Sequence, residues 1–487
     1  MVLGALVAAG QAPVGLWYVA LPALGLILWR AAAAPGWTAF AAGFGYALAG
    51  MFWIVEPFMV EPDVYGWMAP FALVFMAAGM GAFWAAGAQG ARLGRGRAAR
   101  IGGVAVGLVA MDAFRSHAFT GFPWILFGHL WIGTPVAQAA AWIGPIGLSL
   151  VTLLLAALPA MLPLRRGLPL ALAVLAALWG AGSLRLSAPE APRAAPVNVR
   201  IVQPNAEQAL KWDPRYSLEF FYRHLDLTAE APVPGKPVPD VVLWPETAVP
   251  FLLNDPGDGL RMASDAAGGV PVAIGIQRSE GARYYNSLAM IGAGGIVSHV
   301  YDKVHLVPFG EYMPFGDALA RIGISAFAAQ HGNGYSAGQG EEVLDLGPLG
   351  KAQPLICYES IFPQDVGRVA QRPDWIMLVT NDAWFGQLSG PWQHLAQAQL
   401  LAIEYGLPVA RAANTGVSAM IDAYGRIGAH LGMGEMGVID SALPASLPPT
   451  PYSRSGDWPA VAATVLLGLI ILALRRNNRV DPMVRRV

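Results

Sequence analysis

Cysteine is almost missing from this chain: of 487 residues one is a cysteine, Cys357. A single thiol excludes an intrachain disulfide and excludes thiolate metal clusters, which need several Cys ligands. Charge is scarce too. Asp, Glu, Lys and Arg make up 13% of the residues, against roughly 25% in soluble domains, and this argues against a purely soluble protein. The net charge of −1 offers no basic field, so nucleic acid is not expected as a partner. The first 91 residues hold one basic side chain, Arg30, and three acidic ones, Glu56, Glu61 and Asp63. No basic stretch precedes the first apolar run, so a signal peptide is not expected.

Apolar residues fill the gap, at 55%, and Trp is abundant at 16, a residue favoured at membrane–water interfaces. A spanning helix needs about 20 mainly apolar residues. Candidates are residues 14–29, 37–55, 67–88, 101–114, 135–162, 168–184 and 458–474. Residues 1–10 are apolar but short, which predicts seven or eight spans. Arg30, the cluster Arg92, Arg95, Arg97 and Arg100, the pair Arg165 and Arg166, and the tail Arg475, Arg476, Arg479, Arg485 and Arg486 fall at every second boundary. Positive loops stay in the cytoplasm, so the charged middle of the chain is expected on the outer side. Arg185, Arg193 and Arg200 run against this, but long translocated domains follow the rule poorly.

The expected organisation is a membrane part at 1–187, with about seven helices and a short first one. A charged, water-soluble domain at 196–445, a last spanning helix at 457–475 and a basic cytoplasmic tail at 476–487 follow. Two Pro-rich stretches, 188–196 and 443–455, read as linkers. Within the membrane part Asp112 and Arg115 precede Thr120-Gly121-Phe122-Pro123-Trp124. Charges near a span are costly and tend to be paired, so an i, i+3 ion pair and a contact to a substrate headgroup are both open.

Residues 196–445 alternate strand-like and helix-like runs. Strands are expected near 197–202, 240–244, 272–276, 287–291, 296–300, 354–357, 375–380, 409–413 and 417–421, and helices at 206–229, 362–372 and 392–405. This is an α/β pattern with some antiparallel pairing. Three segments at strand ends carry polar residues in apolar settings, where α/β folds collect reactive groups. They are Trp244-Pro245-Glu246, the run from Tyr301 through Lys303 to Glu311, and Ile356-Cys357-Tyr358-Glu359. A carboxylate, an ammonium and a thiol suit acyl transfer: a thiolate attacks the carbonyl, a base takes its proton, and a cation holds the oxyanion. Each residue alone reads more readily as a surface Glu, a surface Lys or a core Cys.

Together these three motifs, in this order, resemble the nitrilase superfamily, whose Glu–Lys–Cys triad sits on an α-β-β-α sandwich. With its membrane flanks the chain resembles the bacterial apolipoprotein N-acyltransferase family. That likeness includes Lys211-Trp212, Asn381 to Gly386, Gly390 to His394 and Asn414 to Gly416. It departs from the family in a shortened first span and in Asp112, where the family has Glu.

The resemblance implies a polytopic α-helical membrane part plus an α/β nitrilase-like α-β-β-α sandwich. It implies Glu246 as general base, Cys357 as nucleophile, and Lys303, with backbone N–H groups near Cys357, as the oxyanion site. Glu311 would orient Lys303 or substrate, and Tyr358 and Glu359 would support the nucleophile. Trp212, Trp384 and Phe385 would lie near acyl chains, with simple packing open for the last two. His305 and His394 are rival bases in principle, as in Cys–His proteases, but Glu246 lies in the better motif. The implied reaction is ping-pong: a phospholipid acylates Cys357, and the α-amino group of a diacylglyceryl-cysteine at an apolipoprotein N-terminus takes the acyl group. The location implied is the bacterial inner membrane, with the catalytic domain on the periplasmic side. No cofactor or metal is implied. A membrane-tethered nitrilase or amidase hydrolysing amides, and a receptor that only binds, are the alternatives.

Overall fold

The computed structural model describes residues 1–189, 193, 195–232, 234–314 and 334–477. Most of the tail expected at 476–487 and part of the 188–196 linker lie outside them. The chain divides into two compact units, one of Met1–Ala188 with Pro449–Val487, the other Pro189–Pro448.

The first unit is helical. After Val2–Ala8 come Trp17–Ala31, Pro35–Gly50, Ala69–Ala88, Arg97–Arg115, Ala140–Met161, Leu164–Leu186 and, after the second unit, Trp458–Asn477. Four segments among the described residues are long and apolar enough to cross a membrane: Pro62–Leu93, Pro135–Met161, Leu164–Leu186 and Trp458–Arg475. The bent pair Pro35–Gly50 and Phe52–Met59 makes a fifth if counted as one span. Trp17–Ala31 has 15 residues, about 22 Å at 1.5 Å per residue, against a hydrocarbon core of about 30 Å. Arg97–Arg115 carries Arg97, Arg100, Asp112 and Arg115.

Backbones approach closely where Cβ atoms are missing. A Cβ on Gly107 would lie 1.9 Å from the Gly87 carbonyl oxygen, and one on Gly90 would lie 2.0 Å from that of Gly103. Small residues at such seams replace hydrophobic driving force with contact. Asp112 and Arg115 form the ion pair, at 3.2 Å with both side chains 4% exposed. Arg115 also donates to the carbonyls of Phe122, Trp124 and Ile125, and Asp112 accepts from Phe127 N–H and Ser149 Oγ. Both groups are thereby occupied in holding the Thr120–Trp124 turn, which favours the ion pair over the headgroup contact.

Among its described residues the second unit holds twelve strands: β1 (Asn198–Gln203), β2 (Val241–Leu243), β3 (Val272–Glu280), β4 (Arg283–Ile291), β5 (Val297–Asp302), β6 (Leu344–Asp345), β7 (Lys351–Ile356), β8 (Trp375–Thr380), β9 (Val409–Ala413), β10 (Ser418–Ile421), β11 (Ile427–Leu431) and β12 (Gly437–Ala442). They form two six-stranded sheets, ordered β12-β1-β2-β3-β4-β5 and β11-β10-β9-β8-β7-β6. Each sheet has a parallel centre, β1-β2-β3 and β7-β8-β9, with antiparallel neighbours outside.

Period-two alternation explains the layering. Val199, Ile201, Val241 and Leu243 of one sheet meet Ile356, Trp375, Met377, Val379, Ala410 and Ala412 of the other in one buried cluster. On the outer face of the first sheet, Val202, Val242, Trp244 and Ile274 pack with Phe221 and Leu225 of helix Ser217–Ala229 and with Leu260 and Ala263 of helix Gly259–Ala266. Outside the second sheet, Arg411 of β9 meets His394 of helix Gly390–Tyr405. The layers are therefore helix, sheet, sheet, helix.

Three expectations need correction. The helix expected at 206–229 begins at Ser217. Pro214 disfavours a helical Asp213 before it, and residue 206 is instead bonded through both backbone groups to the Asn414 side chain. The helix expected at 362–372 is one turn, Pro363–Val366. The strand expected to end at Cys357 ends at Ile356, because Cys357 turns to a φ of 52°.

Candidate active site

Glu246 follows β2, Lys303 follows β5 and Cys357 follows β7. All three are buried, at 6%, 1% and 5% exposure. Strain collects around them. Among the described residues of this unit the non-glycine residues with positive φ are Asn205, Thr247, Phe309 and Cys357. One is Cys357 itself, one adjoins Glu246, and one lies on the loop from Lys303 to Glu311. Such conformations cost of order 1–3 kcal/mol each and persist only where the surroundings enforce them. Gly275 of β3 makes room for the Glu246 turn, since a Cβ there would lie 2.2 Å from the Pro245 carbonyl oxygen.

Lys303 Nζ lies 2.8 Å from Glu311 Oε1 and 3.5 Å from Glu246 Oε1. Asn286 Nδ2 bridges the same two oxygens, donating to Glu246 at 2.7 Å and to Glu311 at 3.1 Å. Glu246 Oε2 accepts from the Asn381 backbone N–H at 2.8 Å, and Glu311 Oε2 from that of Val307 at 2.9 Å. Burial disfavours the Lys303 charge, but Glu311 and Glu246 outweigh it and raise its pKa. The ammonium is permanent, and both carboxylates are fixed around it.

The thiol behaves differently. Burial, then Glu246, push the Cys357 pKa well above its usual range, while Lys303 and a hydrogen bond with Thr380 pull the other way. At rest it is protonated, so attack on a carbonyl requires a base as the proton leaves. The electrostatic neighbours of the sulfur include a carboxylate and an ammonium, so the chemistry available is proton abstraction beside a fixed positive charge.

Glu359 ties the Cys357 turn to the Lys303 loop. Its Oε1 accepts from Val304 N, His305 N and Tyr301 Oη, and its Oε2 from Ile356 N. Tyr358 is buried and packs edge-on against His305 and Phe362. His305 stacks on Phe362 at 3.6 Å, and its Nδ1 lies 3.0 Å from Asp365 Oδ2. Trp212 and Trp384 are half-buried, and Trp212 has the Lys211 ammonium 5.6 Å from its ring. Phe385 sets its ring edge-on to His394 and packs against the sandwich core.

Several participants are invisible to sequence reading. Asn286 sits inside β4 with no motif around it. Lys211 is buried and donates to Thr247 Oγ1 at 2.9 Å and to the Glu246 carbonyl at 3.1 Å. Burial lowers its pKa to about 8, against the pull of Glu246. Thr380 ends a wholly buried strand. The Lys211-Trp212 pair is the one available signal, and it points at Trp212.

Fold and site together define a nitrilase-type domain, and residues 199–452 match the family model described as Carbon-nitrogen hydrolase. Residues 3–158 match the Apolipoprotein N-acyltransferase N-terminal domain. The chain is 42% identical over 432 residues to the apolipoprotein N-acyltransferase of Sinorhizobium fredii, covering 86% of this chain and 81% of that one. It is 40% identical over 449 residues to the protein of the same name from Brucella melitensis, covering 88% and 83%. The chain belongs to the apolipoprotein N-acyltransferase family, and its apolar helices make it a membrane protein. Among solved structures, an amidase from Nesterenkonia sp. is 18% identical, covers 54% of this chain and 94% of its own, and overlays with a TM-score of 0.38.

Proposed function

We propose that Cys357 carries a fatty acyl group as a thioester, taking it from a phospholipid and giving it to the α-amino group of a diacylglyceryl-cysteine at an apolipoprotein N-terminus. The observation that carries this reading is a buried thiol whose electrostatic neighbours are a buried carboxylate and a buried ammonium 3.5 Å from each other, in a chain of this family. Glu246 takes the thiol proton as Sγ bonds to the ester carbonyl carbon. Lys303, held by Glu311, stabilises the oxyanion. The C–O bond breaks, and the proton passes from Glu246 to the lysophospholipid oxygen. In the second half the amine nitrogen bonds to the same carbon, the C–S bond breaks, and the amine proton returns to sulfur. Trp212 and Trp384 flank the acyl chain, and Phe385 backs His394. The donor and acceptor put the reaction at the periplasmic face of the inner membrane, which agrees with the Arg clusters at alternate boundaries.

The test is a labelled acyl phospholipid with the full-length protein in detergent. Wild-type protein should acquire label, and Cys357→Ala should acquire none. Glu246→Gln and Lys303→Ala should load about 10²–10³-fold more slowly, the usual cost of one lost transition-state interaction of this kind. Isolated acyl-enzyme should persist alone, because a thioester in a water-poor cleft waits for an amine. It should discharge on addition of a diacylglyceryl-cysteinyl peptide with a free α-amino group, faster as that group loses its proton near its reference pKa of about 7.7–8.0. Release as free fatty acid at one rate with or without peptide would make the protein a hydrolase.

A further inference from the structure

Cys357 is gripped at two points by a cluster that the reaction above does not use. Its carbonyl oxygen accepts from Ser360 Oγ at 2.9 Å and lies 3.1 Å from His394 Nε2. Ser360 Oγ and His394 Nε2 are 2.8 Å apart. On its other side His394 Nδ1 lies 2.8 Å from Asp382 Oδ1, and Arg411 Nη2 holds Asp382 Oδ2 at 2.6 Å. Thr380 Oγ1 donates to the same Asp382 Oδ1 at 2.9 Å and hydrogen-bonds with the Cys357 thiol. His394, Asp382 and Arg411 are fully buried, as is Thr380. Gly416 leaves the space, since a Cβ there would lie 2.4 Å from Asp382 Oδ2.

Burial opposes the charge of Asp382, but Arg411 and His394 outweigh it and hold its pKa well below the carboxylate range. An ionised carboxylate and a peptide carbonyl only accept, so both ring nitrogens of His394 are donors, as in an imidazolium, Nδ1 toward Asp382 and Nε2 toward the Cys357 carbonyl. His394 thus has a fixed ring orientation, with Nε2 directed at the Cys357 carbonyl and the Ser360 hydroxyl. A general base for the thiol needs a ring nitrogen with a lone pair toward sulfur, whereas Nδ1 donates to Asp382 and Nε2 to the Cys357 carbonyl.

The Cys357 carbonyl belongs to the peptide that carries the Tyr358 N–H. That peptide is planar and trans, so the two groups point in opposite directions and move as one. Holding the carbonyl therefore aims the N–H. We propose that His394, oriented by Asp382 and Arg411 and assisted by Ser360, is a positioning residue. It pins the strained Cys357–Tyr358 peptide and so fixes the direction of the Tyr358 N–H, one of the backbone groups that the family resemblance implies, with Lys303, for the oxyanion. His394 acts through this peptide plane.

This inference rests on the acyl-enzyme reading of Cys357, and the experiment separates the two. Full-length protein in detergent is treated with p-nitrophenyl butyrate, a small ester that any acyl-forming thiol accepts, and separately with iodoacetamide. Both products are read on the peptide that carries Cys357, the single cysteine, by mass spectrometry. Attack on the ester builds an oxyanion, whereas alkylation displaces iodide at a saturated carbon and builds none. His394→Leu should slow butyrylation by about 10²-fold, the scale of one lost oxyanion donor, while alkylation changes by less than about threefold. His394→Gln keeps a donor near the position of Nε2 and should recover most of the butyrylation rate. His394→Asn keeps a donor only toward Asp382 and should not.

Ser360→Ala removes the other donor to the same carbonyl. It should slow butyrylation and spare alkylation, which keeps the test intact if His394→Leu does not fold. Parallel loss of butyrylation and alkylation, equal rates in the Gln and Leu variants, or an unaffected Ser360→Ala would each overturn the proposal. Wild-type protein that accepts butyryl but no phospholipid acyl group would sink the donor assignment and leave the His394 comparison standing. Wild-type protein that accepts neither would sink both.

Discussion

Glu359 gathers four donors on two oxygens while buried at 2% exposure. Burial pushes its pKa up to about 7, against the N–H groups of Ile356 and Val304, Lys303 and the Tyr301 hydroxyl, from a reference of 4.5. The folded protein thus binds this proton more tightly than the unfolded chain. Its contribution to stability is full below about 4.5 and is lost as pH rises through about 7. Glu359→Gln removes that titration. Between about pH 5 and about pH 8 the stability of the variant relative to wild type should rise by up to about 3 kcal/mol, read from paired melting curves. A gap that stays constant across that range would show that Glu359 does not titrate there.

At this scale legibility follows motif density. Glu246, Lys303, Glu311, Cys357 and Glu359 stand in dense runs, and the structure gathers all five. Asn286 and Thr380 do not, because a polar residue inside a buried strand looks like any other until its partners, distant in sequence, arrive. His394 is legible only as a candidate base, since sequence cannot say which atoms a ring nitrogen faces.

Among the elements, the helices Ala69–Ala88 and Arg97–Arg115 meet at glycines, and this fixes their separation. Gly103→Val should be poorly tolerated, because its Cβ would lie 2.1 Å from the Gly90 carbonyl oxygen. Overpacking of this kind typically costs about 1–3 kcal/mol, visible as a lower melting temperature in detergent. Gly79, in the same helix as Gly87, has nothing within 4 Å of the place a Cβ would take. Gly79→Ala should therefore leave the melting temperature unchanged or raise it slightly. Equal losses in both variants would mean that helix propensity, not the seam, sets the cost.

The buried strands β8 and β9 are legible to the residue: β8 is an apolar run ending at Thr380, and β9, though it carries Arg411, is bounded by Pro408 and by Asn414-Thr415-Gly416. β11 and β12 are not. Their segment, residues 426–442, is rich in glycine, and all five β11 residues are at least partly exposed. The hairpin of β3 and β4 is longer than expected, since Gly281, at a φ of 61°, turns Glu280 onto Arg283 and lets the strands run through polar residues.

For the whole molecule, sidedness is the first thing to measure. Cysteines introduced in a Cys357→Ala background can be labelled with a membrane-impermeant maleimide in intact spheroplasts. Arg95→Cys and Gln339→Cys suit this, since both positions are exposed. Neighbouring Gly338 does not, as a Cβ there would lie 2.3 Å from the Asp302 carbonyl oxygen. The Arg pattern predicts labelling at 339 and protection at 95 until the membrane is opened. The reverse result would remove a periplasmic lipoprotein as substrate.

The pairing of β1 with β12 sets a timetable for making the protein. Asn198 lies opposite Ala442, and Arg200 finds its carboxylate at Asp440, 240 residues later. Ribosomes add about 5–20 residues per second, so β1 emerges tens of seconds before its outer neighbour exists. During that interval one edge of the first sheet is open and a guanidinium destined for the interior has no counter-ion. Open edges invite pairing with other chains. The nascent domain therefore needs shelter until its last strand arrives, and a chain stopped short of residue 437 should be degraded rather than accumulate as a partly active fragment.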